Sequence, residues 1–240
     1  MYPIPPKFGT ILRLLLIIGC FVTTVFTVSA QMTSSTDTNS TTSDAVVLPE
    51  NSSQNMLQSE MSANDIVKIN CSTCHGIDGL SVAPIYPALA GQHADYIKKQ
   101  LIGFKQEGDY KRENPIMQGM AAGLTSQNIK ALAQFFSELP PRKGAAKNTD
   151  DLEFGRNLWR SGNVHFNIAS CTGCHGPNGL GIPSIFPRLA GQNAEYAVTQ
   201  LRAFGTQIRT NDQNAMMQRI TERMTEKEMS ALANFISGLR

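Results

Sequence analysis

The chain has 240 residues, a formal net charge of +2 and only 17% charged residues, fewer than the usual quarter. That balance gives no basic field of the kind a nucleic-acid partner requires. Of five cysteines, four stand in two short motifs and the fifth, Cys20, lies in an N-terminal apolar stretch. None is left for a structural disulfide in the folded part.

Lys7 and Arg13 precede an uncharged run from Leu14 to Ala30, a positive n-region followed by an apolar h-region. Val28-Ser29-Ala30 fits a small-residue cleavage site. The same 17-residue run reaches the short end of a membrane-spanning length. Residues 1–30 are therefore expected to be a signal peptide or an N-terminal anchor, with membrane association through residues 11–30. In residues 31–60, eighteen of thirty are Ser, Thr, Asn or Gln, and none is Lys or Arg. Such a segment buries too little apolar surface to offset its ordering entropy, and a disordered polar tether is expected.

Beyond residue 60 the periodicity is helical wherever it is clear, and no convincing strand emerges. Residues 63–71 lead into Cys71-Ser72-Thr73-Cys74-His75. Residues 94–106 carry apolar positions at three- and four-residue spacing. Thr125 reads as an N-cap for a helix bearing Ile129, Leu132, Phe135 and Phe136. Pro140 and Pro141 open a linker over 141–150. Residues 152–161 read as a helix before Cys171-Thr172-Gly173-Cys174-His175, and residues 194–205 as another. Thr225-Glu226-Lys227-Glu228 is a capping box for the last.

Two thiols three positions apart with a following histidine form the attachment signature of c-type haem. Each cysteine can form a thioether to the porphyrin, and the histidine is then held under the iron. Cys71, Cys74, Cys171 and Cys174 thus predict two covalent haem c groups, with His75 and His175 as proximal ligands. A thioredoxin-like pair would sit near a βαβ pattern, and paired zinc knuckles lie about 15–20 residues apart. No strand alternation surrounds either motif, and the two motifs lie one hundred residues apart.

The similarity extends past the motifs. Pro87-x-Leu89-Ala90-Gly91-Gln92-x-Ala94-x-Tyr96 returns as Pro187-x-Leu189-Ala190-Gly191-Gln192-x-Ala194-x-Tyr196, and Gln100-Leu101-x-x-Phe104 returns as Gln200-Leu201-x-x-Phe204. The offset reads as one hundred throughout, so each half is a small domain of one fold. Met is the common sixth ligand of electron-transfer cytochromes c. Of ten methionines, only Met117 and Met217 follow a haem motif and keep that offset. Met120 pairs with Ile220, Met216 with Ile116, and Met224 with Leu124, which marks the last position as core. Met117 and Met217 are the expected axial partners. His93 pairs with Asn193 and His165 with Asp65; both read as surface or loop histidines. At about 80–90 residues each half is marginal for an ordinary core, so its helices should pack on the haem.

With these residues in place the chain resembles the dihaem cytochrome c4 family over about residues 60–240. The two Cys-x-x-Cys-His-Gly segments, the two Pro-x-Leu-Ala-Gly-Gln segments, Arg209-Thr210-Asn211-Asp212 and the Met-then-helix endings carry the resemblance. It implies an all-α tandem repeat of two class-I-like cytochrome c domains, over 61–140 and 151–240. They would face each other about a pseudo-twofold axis with haem propionates near the interface. It implies His75/Met117 and His175/Met217 as axial pairs. It also implies a periplasmic one-electron carrier serving a respiratory chain, with a bc1-type complex and a terminal oxidase as donor and acceptor. In related domains a carbonyl of a Pro-containing loop accepts a hydrogen bond from the proximal histidine. Pro84 is the expected place in the first half, and Ser184, beside Pro183, in the second.

Three function classes are open at this point. One is a carrier with both irons closed by His and Met, without enzymatic activity. Another is the dihaem subunit of a dehydrogenase such as a flavoprotein acting on sulfide. The third is a haem-based gas sensor with a labile sixth ligand.

Overall fold

The computed structural model describes residues 61–240; the signal or anchor expected over 1–30 and the tether over 31–60 lie outside the described residues. In the first half, α1 (Ala63–Ile66) runs through a π-turn (Val67–Cys71) into α2 (Ser72–His75). There follow α3 (Ala94–Phe104), α4 (Pro115–Ala122) and α5 (Ser126–Glu138). The second half has α6 (Leu152–Ser161), α7 (Thr172–His175), α8 (Ala194–Gly205), α9 (Met216–Thr221) and α10 (Glu226–Gly238). Among the described residues the only β-structure is two isolated bridges, Asn163 with Ile168 and Ile182 with Phe186. No described helix is long and apolar enough to cross a membrane.

The expected N-caps form. Thr125 accepts from the Asn128 backbone N–H, and Thr225 accepts from that of Glu228; each third residue reaches back to close a capping box. The apolar stripes that follow become two separate cores. Ile66, Val67, Ile97, Phe104, Ile129, Leu132 and Phe136 fill the first. Trp159, Ile168, Leu201, Met224, Met229, Leu232 and Ile236 fill the second. Leu124 and Met224 are both buried in equivalent places.

The approach to the haem motif differs between halves. In the first the helix continues through its π-turn. In the second, α6 ends at Gly162 (φ 68°), a short loop carries Val164–Phe166, and the Cys171 N–H returns to the Trp159 carbonyl at 3.1 Å. α6 packs on α10 so closely that a Cβ at Gly155 would lie 2.2 Å from the Ala231 carbonyl oxygen.

The offset of one hundred also slips inside each half. Arg112 donates its N–H to the Gly103 carbonyl and Arg209 to that of Ala203. The two arginines are equivalent in place although 97 positions apart. A loop three residues longer before Arg112 is balanced by three more residues between Arg209 and Met217. The two changes cancel in the numbering, so the slip is invisible in the sequence offset.

The halves dock through the repeated Pro-x-Leu-Ala-Gly-Gln segments. Gln192 accepts from the Ala88 N–H at 2.9 Å and donates to the Ala88 carbonyl at 3.0 Å. Gln92 does the same to Arg188, at 3.0 and 2.9 Å. Each glutamine thus pairs with the other half's backbone much as a neighbouring strand would. His93, in the loop just before α3 as expected, also reaches across this interface, a role its mismatch with Asn193 did not reveal. Its Nε2 lies 2.9 Å from the Leu180 carbonyl, and Asn193 Nδ2 donates to the Tyr86 carbonyl at 2.9 Å. Different residue types supply the same donor, so identity across the repeat was the wrong criterion. His165 is exposed, as expected.

Gly155→Ala should destabilise the second half by about 1–3 kcal/mol through overpacking against the α10 backbone. Denaturant titration followed by Trp159 fluorescence checks this. Gln192→Ala strips both partners from the buried Ala88 peptide groups and should cost about 1–3 kcal/mol. Faster proteolysis in residues 141–150 and a lower Tm are the expected readings.

Candidate functional site

In the first half α2 ends at His75 because Gly76 takes φ 75°, and the chain turns away at once. His75 is buried (7% exposed), and its Nδ1 lies 3.1 Å from the Pro87 carbonyl. The second half repeats this: Gly176 at φ 77°, His175 6% exposed, and Nδ1 3.0 Å from the Pro187 carbonyl. The acceptor is therefore Pro87 and Pro187, not Pro84 and Ser184. Pro84 instead gives its carbonyl to the Tyr196 N–H of the other half (3.1 Å), and Ser184 hydrogen-bonds Asp95. The physical reason is reach. The loop from His75 passes Pro84 at the domain interface and returns to the ring only at Pro87, the proline that both halves share.

With Nδ1 occupied by a carbonyl, Nε2 is the nitrogen left to act. Burial holds both imidazoles below the usual histidine pKa, partly offset by the proline carbonyls. Burial pushes the Cys71 thiol up to about 11 and the Cys171 thiol up to about 12. A thiol–disulfide centre needs the opposite shift, which argues against a thioredoxin-like role.

Cys71, Cys74, His75 and Met117 line one cavity of about 310 Å³, within the usual range of cofactor sites. Its walls include Ile97, Leu101, Phe104, Leu132 and Phe136. Pro115 and the Asn114 cap, which accepts from the Met117 N–H at 2.9 Å, fix the start of α4 beside it. Met120 lines the same cavity one helical turn on but is 48% exposed, whereas Met117 packs on the first core. In the second half Cys171 and Met217 both pack on the second core. Asn214 and Ala215, both left-handed, turn the chain into α9, and the Asp212 carboxylate accepts from the Met217 N–H at 2.7 Å. Met216 is half-buried on the same short helix.

The cavity edge at the interface is cationic. Arg112 donates to Gln100, Gln200 and Tyr196, and Arg209 to Gln100, Gln200, Tyr96 and Asn211. Each guanidinium stacks on its own half's phenylalanine, Phe104 at 4.6 Å and Phe204 at 4.4 Å. Burial raises the Tyr196 hydroxyl, but the two arginines outweigh it and bring the phenol below its usual range. Among the described residues Arg112, Arg188 and Arg209 make no ion pair. The sequence repeat marked these tyrosines and glutamines without revealing their role, because each acts only across the interface.

An apolar cavity, two thiols, a histidine presented through Nε2 and a cationic rim are what a covalently attached haem with two carboxylates needs. The residues fit the group.

Residues 61–140 and 160–240 each match the sequence model of the Cytochrome c family. Cytochrome c4 of Thiocapsa roseopersicina is 40% identical over 171 residues, covering 70% of this chain and 86% of that protein. A thiosulfate dehydrogenase electron acceptor of Stutzerimonas stutzeri (strain A1501) is 38% identical over 172 residues, covering 70% and 78%. The crystal structure of reduced recombinant cytochrome c4 from Pseudomonas stutzeri aligns with a TM-score of 0.69 at 35% identity, covering 74% of this chain and 97% of that one. The repeated motif, the cavity chemistry of the first half and these likenesses agree: the chain belongs to the cytochrome c family and, within it, to the dihaem cytochromes c4, electron-transfer proteins with two covalently bound haem c groups.

Proposed function

We propose that this chain carries single electrons in the periplasm with both irons closed, His75 and Met117 binding one and His175 and Met217 the other. The observation that carries the reading is the shared cavity of Cys71, Cys74, His75 and Met117. Bound haem supplies a one-electron Fe(III)/Fe(II) couple. The protein does the rest. The thiols fix the group covalently, and Pro87 and Pro187 orient the imidazoles through Nδ1. That bond also makes each ligand more basic. The apolar walls exclude water. With a histidine and a methionine holding each iron no position would be left for substrate, so the chemistry would be transfer rather than catalysis.

For partners, the first reading is a respiratory chain, with a bc1-type complex as donor and a terminal oxidase as acceptor. A second is favoured by the relative described as a thiosulfate dehydrogenase electron acceptor: this chain would take electrons from a sulfur-compound dehydrogenase. A flavoprotein sulfide dehydrogenase is another enzyme of that class. Stopped-flow reduction by a purified thiosulfate dehydrogenase separates the two. Reduction at catalytic rates favours the second reading, and none favours the first.

Met117→Ala and Met217→Ala should each abolish half of the long-wavelength sulfur-to-iron absorption of the oxidised holoprotein and leave the haem content at two. Full retention of that band in either variant contradicts the assignment of that methionine, and for the first half transfers it to Met120.

A further inference from the structure

Arg188 stands apart from the other interface arginines. Arg112 and Arg209 are saturated by tyrosine and glutamine. The Arg188 guanidinium makes no hydrogen bond or ion pair among the described residues, and its Nε is buried without a partner. A charged side chain with a buried donor left unsatisfied calls for a complement. Only its backbone is engaged, by Gln92. Arg188 belongs to the second half, yet it lines the cavity that holds Cys71, Cys74, His75 and Met117 of the first. The position equivalent by the repeat is Ala88, which carries no charge. Whatever Arg188 does, the repeat does not do twice.

We infer that the Arg188 side chain, reaching across the interface, binds a carboxylate of the first-half haem and sets that haem's potential apart from its partner's. This rests on the haem sites described above; the methionine assignment enters only in telling the two haems apart in the test. The buried Nε and the terminal nitrogens form the planar fork that suits a carboxylate. Burial also lowers the guanidinium's own pKa, a cost that an anionic neighbour would offset. A fixed cation beside the haem favours the reduced iron, which carries one positive charge less. Arg188 therefore raises the potential of the first-half haem. It makes the two sites unequal although their ligands are alike, and it biases an electron on the chain toward the first half. Because the cation comes from the other half, the bias exists only while the halves are docked.

The test is spectroelectrochemical titration of the full-length holoprotein, with each haem assigned to its half by the Met117→Ala and Met217→Ala spectra. Arg188→Gln keeps a polar side chain and the backbone bonds to Gln92 but removes the charge. It should weaken reduction of the first-half haem roughly tenfold, about 59 mV for one electron, and leave the second-half haem in place. Arg188→Lys should restore most of the loss, which a purely structural role would not predict. Equal shifts of both haems, a shift of the second alone, or no shift would overturn the inference. Fewer than two haems per chain in the unaltered protein would instead overturn the dihaem reading beneath it.

Discussion

The bond from the histidine Nδ1 to the carbonyl of Pro87, and its copy at Pro187, is the constraint from which the rest of the molecule follows. It fixes which nitrogen of a buried imidazole faces the cavity. It also fixes the path of the Pro-x-Leu-Ala-Gly-Gln segment that supplies the carbonyl. Five residues after each proline, the same segment sends a glutamine into the other half, where it takes both backbone groups of one residue. One short stretch therefore orients a ligand at one end and docks two domains at the other. A shift of the docking surface cannot occur without moving the loop that holds the histidine.

That coupling accounts for the sharing at the interface. Tyr96 and Tyr196, Gln100 and Gln200, and Arg112 and Arg209 form a reciprocal set in which every charged donor bonds to the opposite half. The set is buried and cationic, with no carboxylate bonded to either guanidinium. It is costly as a structural device alone and sensible beside groups that bring negative charge. The asymmetries lie around it: Arg188 against Ala88, Tyr86 beside His75 against Phe186 beside His175, and Trp159 packed near His175.

Much of this was legible in the sequence, for definite reasons. Helices 152–161 and 194–205 and both threonine caps follow from local periodicity and capping chemistry, and they stand where expected. The haem motifs declare their chemistry because the spacing has few other uses. What escaped was non-local. Pro84 was the expected carbonyl acceptor, but a loop's return point is set by packing, and the proline kept in both halves was the better guide. His93 passed for a surface or loop residue because its counterpart is Asn193, although both are donors to the facing loop. The constant offset concealed two compensating three-residue changes around Arg112 and Arg209. Arg188 was hidden in a variable position of the repeat, because its meaning depends on which cavity it enters after docking.

The central claim is that both irons are closed, so that two similar domains serve transfer and not substrate binding. Carbon monoxide added to the fully reduced, full-length holoprotein at neutral pH tests it most directly, because the gas binds only to an iron with an open or labile sixth position. The account predicts an unchanged absorption spectrum for both haems. A carbonyl adduct at either haem would contradict it and favour the gas-sensor reading.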